Sequence, residues 1–336
     1  MPDQNSTPDT AARGPVMQPS GREVPVAEHF VAPVLDDEGR AGIETQLADK
    51  PSNLWRDAWS SLRRNPIFII SALLMLFVLF VAAFPTVFTS ASPDSQCTLS
   101  NANGAPTAGH PLGFTNQGCD ILARVVHGAS ASLLVGFGAT LGVLLVGILL
   151  GGLAGYFGGW VDAIVSRIMD IFFAVPLILG AIVLMAVPVM RQNAGIVTLA
   201  IVLTIFGWPQ MARITRGAVL EVRSAEFITA ARSLGMGKLS ILFKHVLPNA
   251  AGPIIVVATL SLGIFIVVEA SLSFLGIGLP PSILSWGHDI SAARPQLRTN
   301  PGALFWPSLM LSITVLSFMM LGDALRDALD PKGRTR

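Results

Sequence analysis

Long apolar runs separated by short polar stretches dominate this chain, so the length of each run carries more information than its internal period. About 20 largely apolar residues are needed to cross a hydrocarbon layer of about 30 Å. Six runs approach that length, at 67–88, 132–153, 168–189, 196–211, 253–275 and 304–321. The fourth is short and contains Gly207 and Pro209, which weaken a helix unless neighbouring helices satisfy the freed backbone groups, so its lower boundary is left open. The expected architecture is all-α and polytopic, with six transmembrane helices.

Polar patterning places the remainder. Before the first run, Trp55, Trp59 and Leu62 recur at i, i+4 and i+7, interleaved with Arg56 and followed by Arg63 and Arg64. This is the pattern of an interfacial helix with its apolar face among headgroups and its arginines toward anionic lipid, or of a contact with a partner subunit. The second run carries Gly136, Gly138, Gly142, Gly147, Gly151, Gly152 and Gly155, residues small enough to let helices approach where lipid supplies no hydrophobic drive between them. Much of that helix is expected to face protein. Upstream, Pro2, Pro8, Pro15, Pro19, Pro25 and Pro33 are scattered among Asp and Glu, without the layout of a cleaved signal peptide and without enough apolar surface to offset ordering entropy. The expected organisation is a disordered cytoplasmic tail at 1–52, an interfacial helix at 53–66 and a membrane domain at 67–325. That domain would hold an external loop at 89–129 and a cytoplasmic loop at 212–252, with a cytoplasmic tail at 326–336.

Composition agrees with lipid as the solvent, since 52% of residues are hydrophobic and 13% charged. A net charge of +1 gives no argument for nucleic acid. The positions of the charges say more. With the N-terminus inside, only Arg124, Arg191, Arg294 and Arg298 of the 22 Lys and Arg fall outside, which places both termini in the cytoplasm. Cys97 and Cys119 have no Cys/His spacing that builds a zinc site, and His29, His110, His127, His245 and His288 lack metalloprotease spacing. No serine sits in a Gly-x-Ser-x-Gly elbow. The nearest phosphate-loop candidate is Gly237-Lys238, but Leu239 follows and Arg232 stands where the upstream glycine is required. No catalytic role, metal or cofactor is expected on this chain.

The loop between the fourth and fifth runs is too long for a turn and too patterned for a linker. Gly235 and Pro248 break it into helical stretches, Ala230 and Ala231 give one of them a smooth face, and Glu226 and Arg232 are placed to fix its setting by ion pairs. A short helix of this kind suits a groove on a cytoplasmic partner. The pattern Thr229-Ala230-Ala231, three residues, Gly235, nine residues, His245-Val246-Leu247-Pro248 resembles the EAA loop of bacterial ABC importer permeases, with Thr229 where many members have Glu and His245 where many have an aliphatic residue. Four further stretches look like the C-type permease subunit of dipeptide and oligopeptide importers. They are His110-Pro111-Leu112-Gly113 with Gly118-Cys119-Asp120, Leu153 to Asp162, Glu269 to Gly278, and Leu321 to Pro331. The resemblance spans roughly residues 54–332 and implies a type I ABC importer permease. Its implied partners are a homologous B-type permease, two cytoplasmic ATPases that hold ATP and Mg, and an external peptide-binding protein. Coupling to the ATPases would fall to Glu226, Thr229, Ala230, Ala231, Arg232, Gly235, Leu247 and Pro248.

Three expectations are sharper. Cys97 and Cys119 share the external loop, an oxidising compartment, and are expected to form a disulfide. Glu269, near the outer end of the fifth run, is a candidate for the translocation path or gate, against the alternatives of a helix cap or an arginine pair. Asp162, Arg167 and Asp170 mark the inner boundary between the second and third spans, with Asp170 suited to a helix N-terminus. Rival readings are an importer for nickel or glutathione and, in another class, an ion-gradient transporter, which predicts internal repeats and paired intramembrane charges that the sequence lacks.

Overall fold

The computed structural model describes residues 54–95 and 97–329. The expected N-terminal tail lies outside that range, as does the C-terminal tail from residue 330 onward. Helix α1 (Leu54–Leu62) leads into α2 (Pro66–Ala83) through Asn65, whose side chain accepts the Ile67 N–H at 2.9 Å while Pro66 supplies a first helical residue that has no N–H to orphan. The apolar stripe foreseen for α1 divides. Leu62 is buried together with Ala58, whereas Trp59 is half exposed and meets Phe68 edge-on; the side chain of Trp55 lies outside the described set.

The long elements are α3 (Ile121–Phe157), α4 (Gly159–Phe173), α5 (Leu177–Ala186), α6 (Ile196–Val222), α9 (Ala251–Phe274) and α11 (Pro301–Leu329), with α7 (Glu226–Ser233) and α8 (Lys238–Ile241) between α6 and α9, and α10 (Trp286–Ala293) between α9 and α11. No strand is formed among the described residues. Helices α2, α3, α6, α9 and α11 are each long and apolar enough to cross a membrane, and α4 with α5 makes a sixth if that bent pair is one span. The third expected span is therefore broken. The two halves meet at 82°, because Pro176 has no N–H to continue the ladder and pushes Val175 away from helical geometry.

Helix ends overrun the apolar runs. Helix α3 begins at Ile121 rather than 132, α6 continues through Pro209 to Val222 rather than stopping at 211, and α11 reaches Leu329. Hydropathy marks where lipid stops, and a helix of 37 residues, about 55 Å long, continues well past it. The loops shorten correspondingly, to 84–120 and 223–250.

At the centre, α3 and α6 run parallel along a glycine seam. A methyl group on Gly138 would meet Ala200 Cβ at 3.2 Å, on Gly142 Thr204 Oγ1 at 2.3 Å, on Gly147 Met211 Cγ at 2.5 Å, and on Gly151 the Ala212 carbonyl oxygen at 2.3 Å. Backbone thus meets backbone at Gly151, while at the other three glycines a side chain of α6 fills the space. Gly136 serves α9 instead, where Ile266 fills the space. A core of Val135, Ala139, Val143, Leu199, Leu203, Met211, Phe265 and Leu272 joins the three helices.

One end of the bundle carries the cysteine loop. Cys97 and Cys119 are bonded, Asp120 caps α3 by accepting the Ala123 N–H at 2.7 Å, and His110 Nδ1 contacts the other Asp120 oxygen. Gly118 sits at φ 72° with its α-carbon so close to Thr98 that a Cβ would fall 1.8 Å from that carbonyl oxygen. Asn300, just before α11, donates to Phe114 O at 2.7 Å and ties the loop to the bundle. The opposite end carries α7 and α8.

Candidate functional site

Residues 223–250 fold against the ends of α3 and α6. Ile228, Ala231, Ile241, Leu242 and Val246 are buried with Tyr156, Ala218 and Val219, and Leu247 approaches the position a Cβ on Gly152 would take to 3.5 Å. The loop therefore has its own small core, continuous with the spans. Helix α7 stops at Ser233 and the chain reverses at Gly235, whose φ of 78° favours glycine. Pro248 does not break the second stretch. Residues 242–246 form a π turn in which Leu247 N–H bonds Leu242 O, a wider ring that loosens the backbone just ahead of the proline.

Two expectations for α7 are corrected here. Ala230 and Ala231 do not share a face: Ala230 is exposed, while Ala231 is 8% exposed and faces the loop core. Glu226 and Arg232 are both exposed and form no ion pair, because on this helix the buried stripe, not charge, fixes the setting. The surface that remains is apolar in a way the reading of alanines missed. Phe227, Leu234, Leu239 and Phe243 all stand exposed, Leu234 at 84%, beside Thr229 and Ala230. The signal was present in the alternation of Phe227 with Ile228 and Leu242 with Phe243, adjacent apolar pairs of which a helix buries only one.

Ion pairs tie this end together. Asp162, in the first turn of α4, accepts from Arg216 of α6 at Oδ2, 2.7 Å, and again at Oδ1. Arg223 donates to Gly155 O at 2.8 Å, satisfying a carbonyl at the frayed end of α3. Asp170 lies late in α4, not at a helix N-terminus, and reaches Arg213 at 3.7 Å, while the Arg213 guanidinium stacks 3.8 Å over Phe173. The turn between α3 and α4 is made by Gly158 and Gly159 at φ 65° and 55°.

Glu269 meets no surface. It is 0% exposed in α9, Oε1 accepts from Ser273 Oγ at 2.8 Å, and Oε2 has no partner. The Ser132 and Ser285 hydroxyls adjoin the carboxyl. A path-lining role, a cap and an arginine pair are all replaced by a carboxyl enclosed among three serines, where α3, α9 and the approach to α10 converge.

A second polar group lies at the cysteine-loop end. Arg124 of α3 donates to Asp289 Oδ1 of α10 from Nε at 2.9 Å and from Nη2 at 2.5 Å, and from Nη1 to Asp94 at 3.0 Å. Beside the pair is a cavity of about 40 Å³ lined by residues that include Thr115, Gln117, Arg124, His288, Asp289 and Gln296. Burial pushes the Asp289 carboxyl above its ordinary range and the Arg124 guanidinium pulls against that shift. Neither partner was singled out from sequence, since 165 positions separate them.

Comparison with known proteins follows the same outline. Residues 147–335 match the family described as binding-protein-dependent transport system inner membrane component, and residues 53–106 match the N-terminal TM domain of oligopeptide transport permease C. The chain is 39% identical over 294 residues to the oligopeptide transport system permease protein OppC of Bacillus subtilis, covering 88% of this chain and 95% of that one. It is 40% identical over 279 residues to the dipeptide transport system permease protein DppC of Alkalihalophilus pseudofirmus, covering 83% and 90%. The glutathione transport system permease protein GsiD of Pectobacterium atrosepticum is 36% identical over 278 residues, covering 83% and 91%. Among solved structures, a chain of the inward-facing MetNI methionine ABC transporter superposes with a TM-score of 0.51 at 22% identity, covering 62% of this chain and 96% of that one, a likeness of fold.

Proposed function

Because this chain belongs to the binding-protein-dependent transport inner membrane component family, with C-type oligopeptide and dipeptide permeases among its relatives, we propose that it is a permease subunit of an ATP-driven peptide importer, coupled to its motor through residues 226–248. The observation that carries the coupling role is the exposed apolar set Phe227, Leu234, Leu239 and Phe243 above a buried core continuous with α3 and α6. Exposed side chains of that size on a short helical unit are matched by a partner's groove. The residues named from sequence divide the labour. Thr229 and Ala230 stand in the docking face, flanked by Glu226 and Arg232, while Ala231, Gly235, Leu247 and Pro248 shape the unit that presents it.

On this reading the loop end is cytoplasmic, in the bacterial inner membrane, with both termini inside. The complex contains a homologous B-type permease, two ATPases that hold ATP and Mg, and an external binding protein. Closure of the ATPase pair moves the docked loop as a rigid body, and binding energy at the interface links the two equilibria without any group of this chain touching ATP. The glutathione relative supports a second substrate of the same class, a short peptide.

The test is the double variant Leu234→Asp with Phe243→Asp. Both side chains are exposed, so the subunit still reaches the membrane with its B-type partner, while copurifying ATPase falls by at least about tenfold, the loss expected when two apolar anchors are replaced. Undiminished copurification and uptake would remove the coupling assignment.

A further inference from the structure

At the break between α4 and α5 lies a cavity of about 250 Å³ that the coupling described above leaves unused. Its wall includes Phe172 and Phe173 of α4, Phe206 and Gln210 of α6, and Ile264 and Phe265 of α9, so three helices build it. The lining is apolar apart from Gln210 and Ser261. The Ser261 hydroxyl is committed to Val257 O at 2.7 Å, whereas Gln210 is exposed and its amide has no hydrogen-bond partner among the described residues.

Arg213 lies one turn further along the same face of α6, since it follows Pro209 and Gln210, which both line the cavity, by four and three positions. Its guanidinium stacks 3.8 Å over the ring of Phe173, itself part of the wall, and so stands at the rim. The Asp170 contact at 3.7 Å is longer than a hydrogen bond and joins two groups that are each more than half exposed, which leaves the N–H donors of Arg213 open. Arg167, three positions before Asp170 on α4, forms no ion pair among the described residues, and Asp162 is taken up by Arg216. These turns of α4 and α6 therefore carry one cation in excess.

An apolar cavity with an amide in its wall and an uncommitted guanidinium at its rim suits a ligand that joins an apolar side chain, a peptide unit and a carboxylate. Size agrees. An apolar cavity of about 150 Å³ takes up benzene, so about 250 Å³ holds a side chain as large as that of leucine or phenylalanine. We propose that this cavity binds the C-terminal residue of a peptide, its apolar side chain inside, its peptide unit on Gln210 and its carboxylate on Arg213. That this peptide is cargo rests on the permease reading, and it makes the subunit itself, beside the external binding protein, a point at which peptides are selected. An anionic phospholipid such as phosphatidylglycerol also joins an anion to an apolar group, but it has no N–H for the Gln210 carbonyl.

The subunit, in the complex in which it is isolated and without the external binding protein, is titrated with N-acetyl-phenylalanine while thermal unfolding is followed. N-acetyl-phenylalaninamide, which lacks the charge, and N-acetylglycine, which lacks the apolar side chain, are the controls. N-acetyl-phenylalanine raises the midpoint, and each control needs about tenfold more for the same rise, the low end of what a hydrogen bond to a charged group is worth. In Arg213→Gln the acid and the amide act at concentrations within about twofold of each other, a change of preference that a loss of stability alone would not produce. Ile264→Trp, which fills the cavity from an exposed position, removes the response to both, and carries the test if the Arg213 variant does not assemble. Equal responses to acid and amide in the parent, an acid preference that survives Arg213→Gln, or an undiminished response in Ile264→Trp overturns the site.

Two arms fix the occupant. Inhibition of alanyl-phenylalanine uptake by N-acetyl-phenylalanine, lost in Arg213→Gln, ties the cavity to the transported peptide; binding without inhibition overturns that assignment. A midpoint rise with dihexanoyl-phosphatidylglycerol that depends on Arg213, in place of one with N-acetyl-phenylalanine, assigns a lipid and likewise overturns the peptide. The titration reads binding without transport, so failure of the permease reading would leave the N-acetyl-phenylalanine response in place, and failure of the site would leave uptake in place.

Discussion

At Glu269 a carboxyl lies where neither water nor a cation reaches it, held by Ser273 at 2.8 Å and bordered by Ser132 and Ser285. Residue type alone suggested function, because intramembrane carboxylates are costly. The surroundings suggest cohesion instead, with one side chain serving three elements. Glu269→Gln keeps the acceptor for Ser273 and offers an amide donor to the remaining hydroxyls, so uptake in that variant should stay within about twofold of the parent. Glu269→Ala leaves a void among unsatisfied hydroxyls and should lower stability by about 2–4 kcal/mol, read as a drop in thermal midpoint with a parallel drop in uptake. Loss of uptake in the glutamine variant at unchanged midpoint would restore a transport role. Single residues were legible in the sequence where backbone geometry demanded them, as at Gly235, and illegible where a distant partner decided, as for Arg124 with Asp289 or Asp162 with Arg216. The Ala230 and Ala231 pair failed for a third reason. Two neighbours on a helix point about 100° apart, so they cannot present one face.

Among the elements, the glycine seam of α3 was visible as spacing, but its partner was not. Spacing says that something comes close; only packing says that it is α6, running in the same direction. The contact makes a contrast between two glycines. Gly151→Val places its branched side chain against the Ala212 carbonyl oxygen, where even Cβ would stand at 2.3 Å, and should destabilise the subunit by about 1–3 kcal/mol or more by forcing the helices apart. Gly217→Ala, at an exposed position of α6 with nothing within 4 Å, should be neutral or gain up to about 1 kcal/mol from helix propensity. Thermal midpoints of the two variants check this, and equal midpoints would contradict the seam. Element ends were the poorest part of the sequence reading. Apolar runs locate lipid, whereas α3 and α6 end at the caps Gly158 and Arg223. The break between α4 and α5 was written in Pro176, but a hydropathy window passes over a proline inside an apolar run.

For the molecule as a whole, the all-α, multi-pass architecture followed from run length alone, and the separation of positive residues gave an orientation that labelling can check. Both cysteines of the chain are bonded to each other, so an added thiol reports by itself. Thr299→Cys, exposed at the cysteine-loop end, should react with a membrane-impermeant maleimide in intact cells, and Ser224→Cys, exposed at the other end, only after permeabilisation. The reverse pattern would invert the topology. What hydropathy leaves out is how the parts lean on one another. Helices α3 and α6 are two rods laid side by side, interlocked through Thr204 and Met211 and touching backbone to backbone at Gly151, so neither can slide or roll there without a clash. If the loop is pulled as proposed, a tug at Val222 enters a rod that runs about 40 Å to Ile196 and is locked to its neighbour along the way.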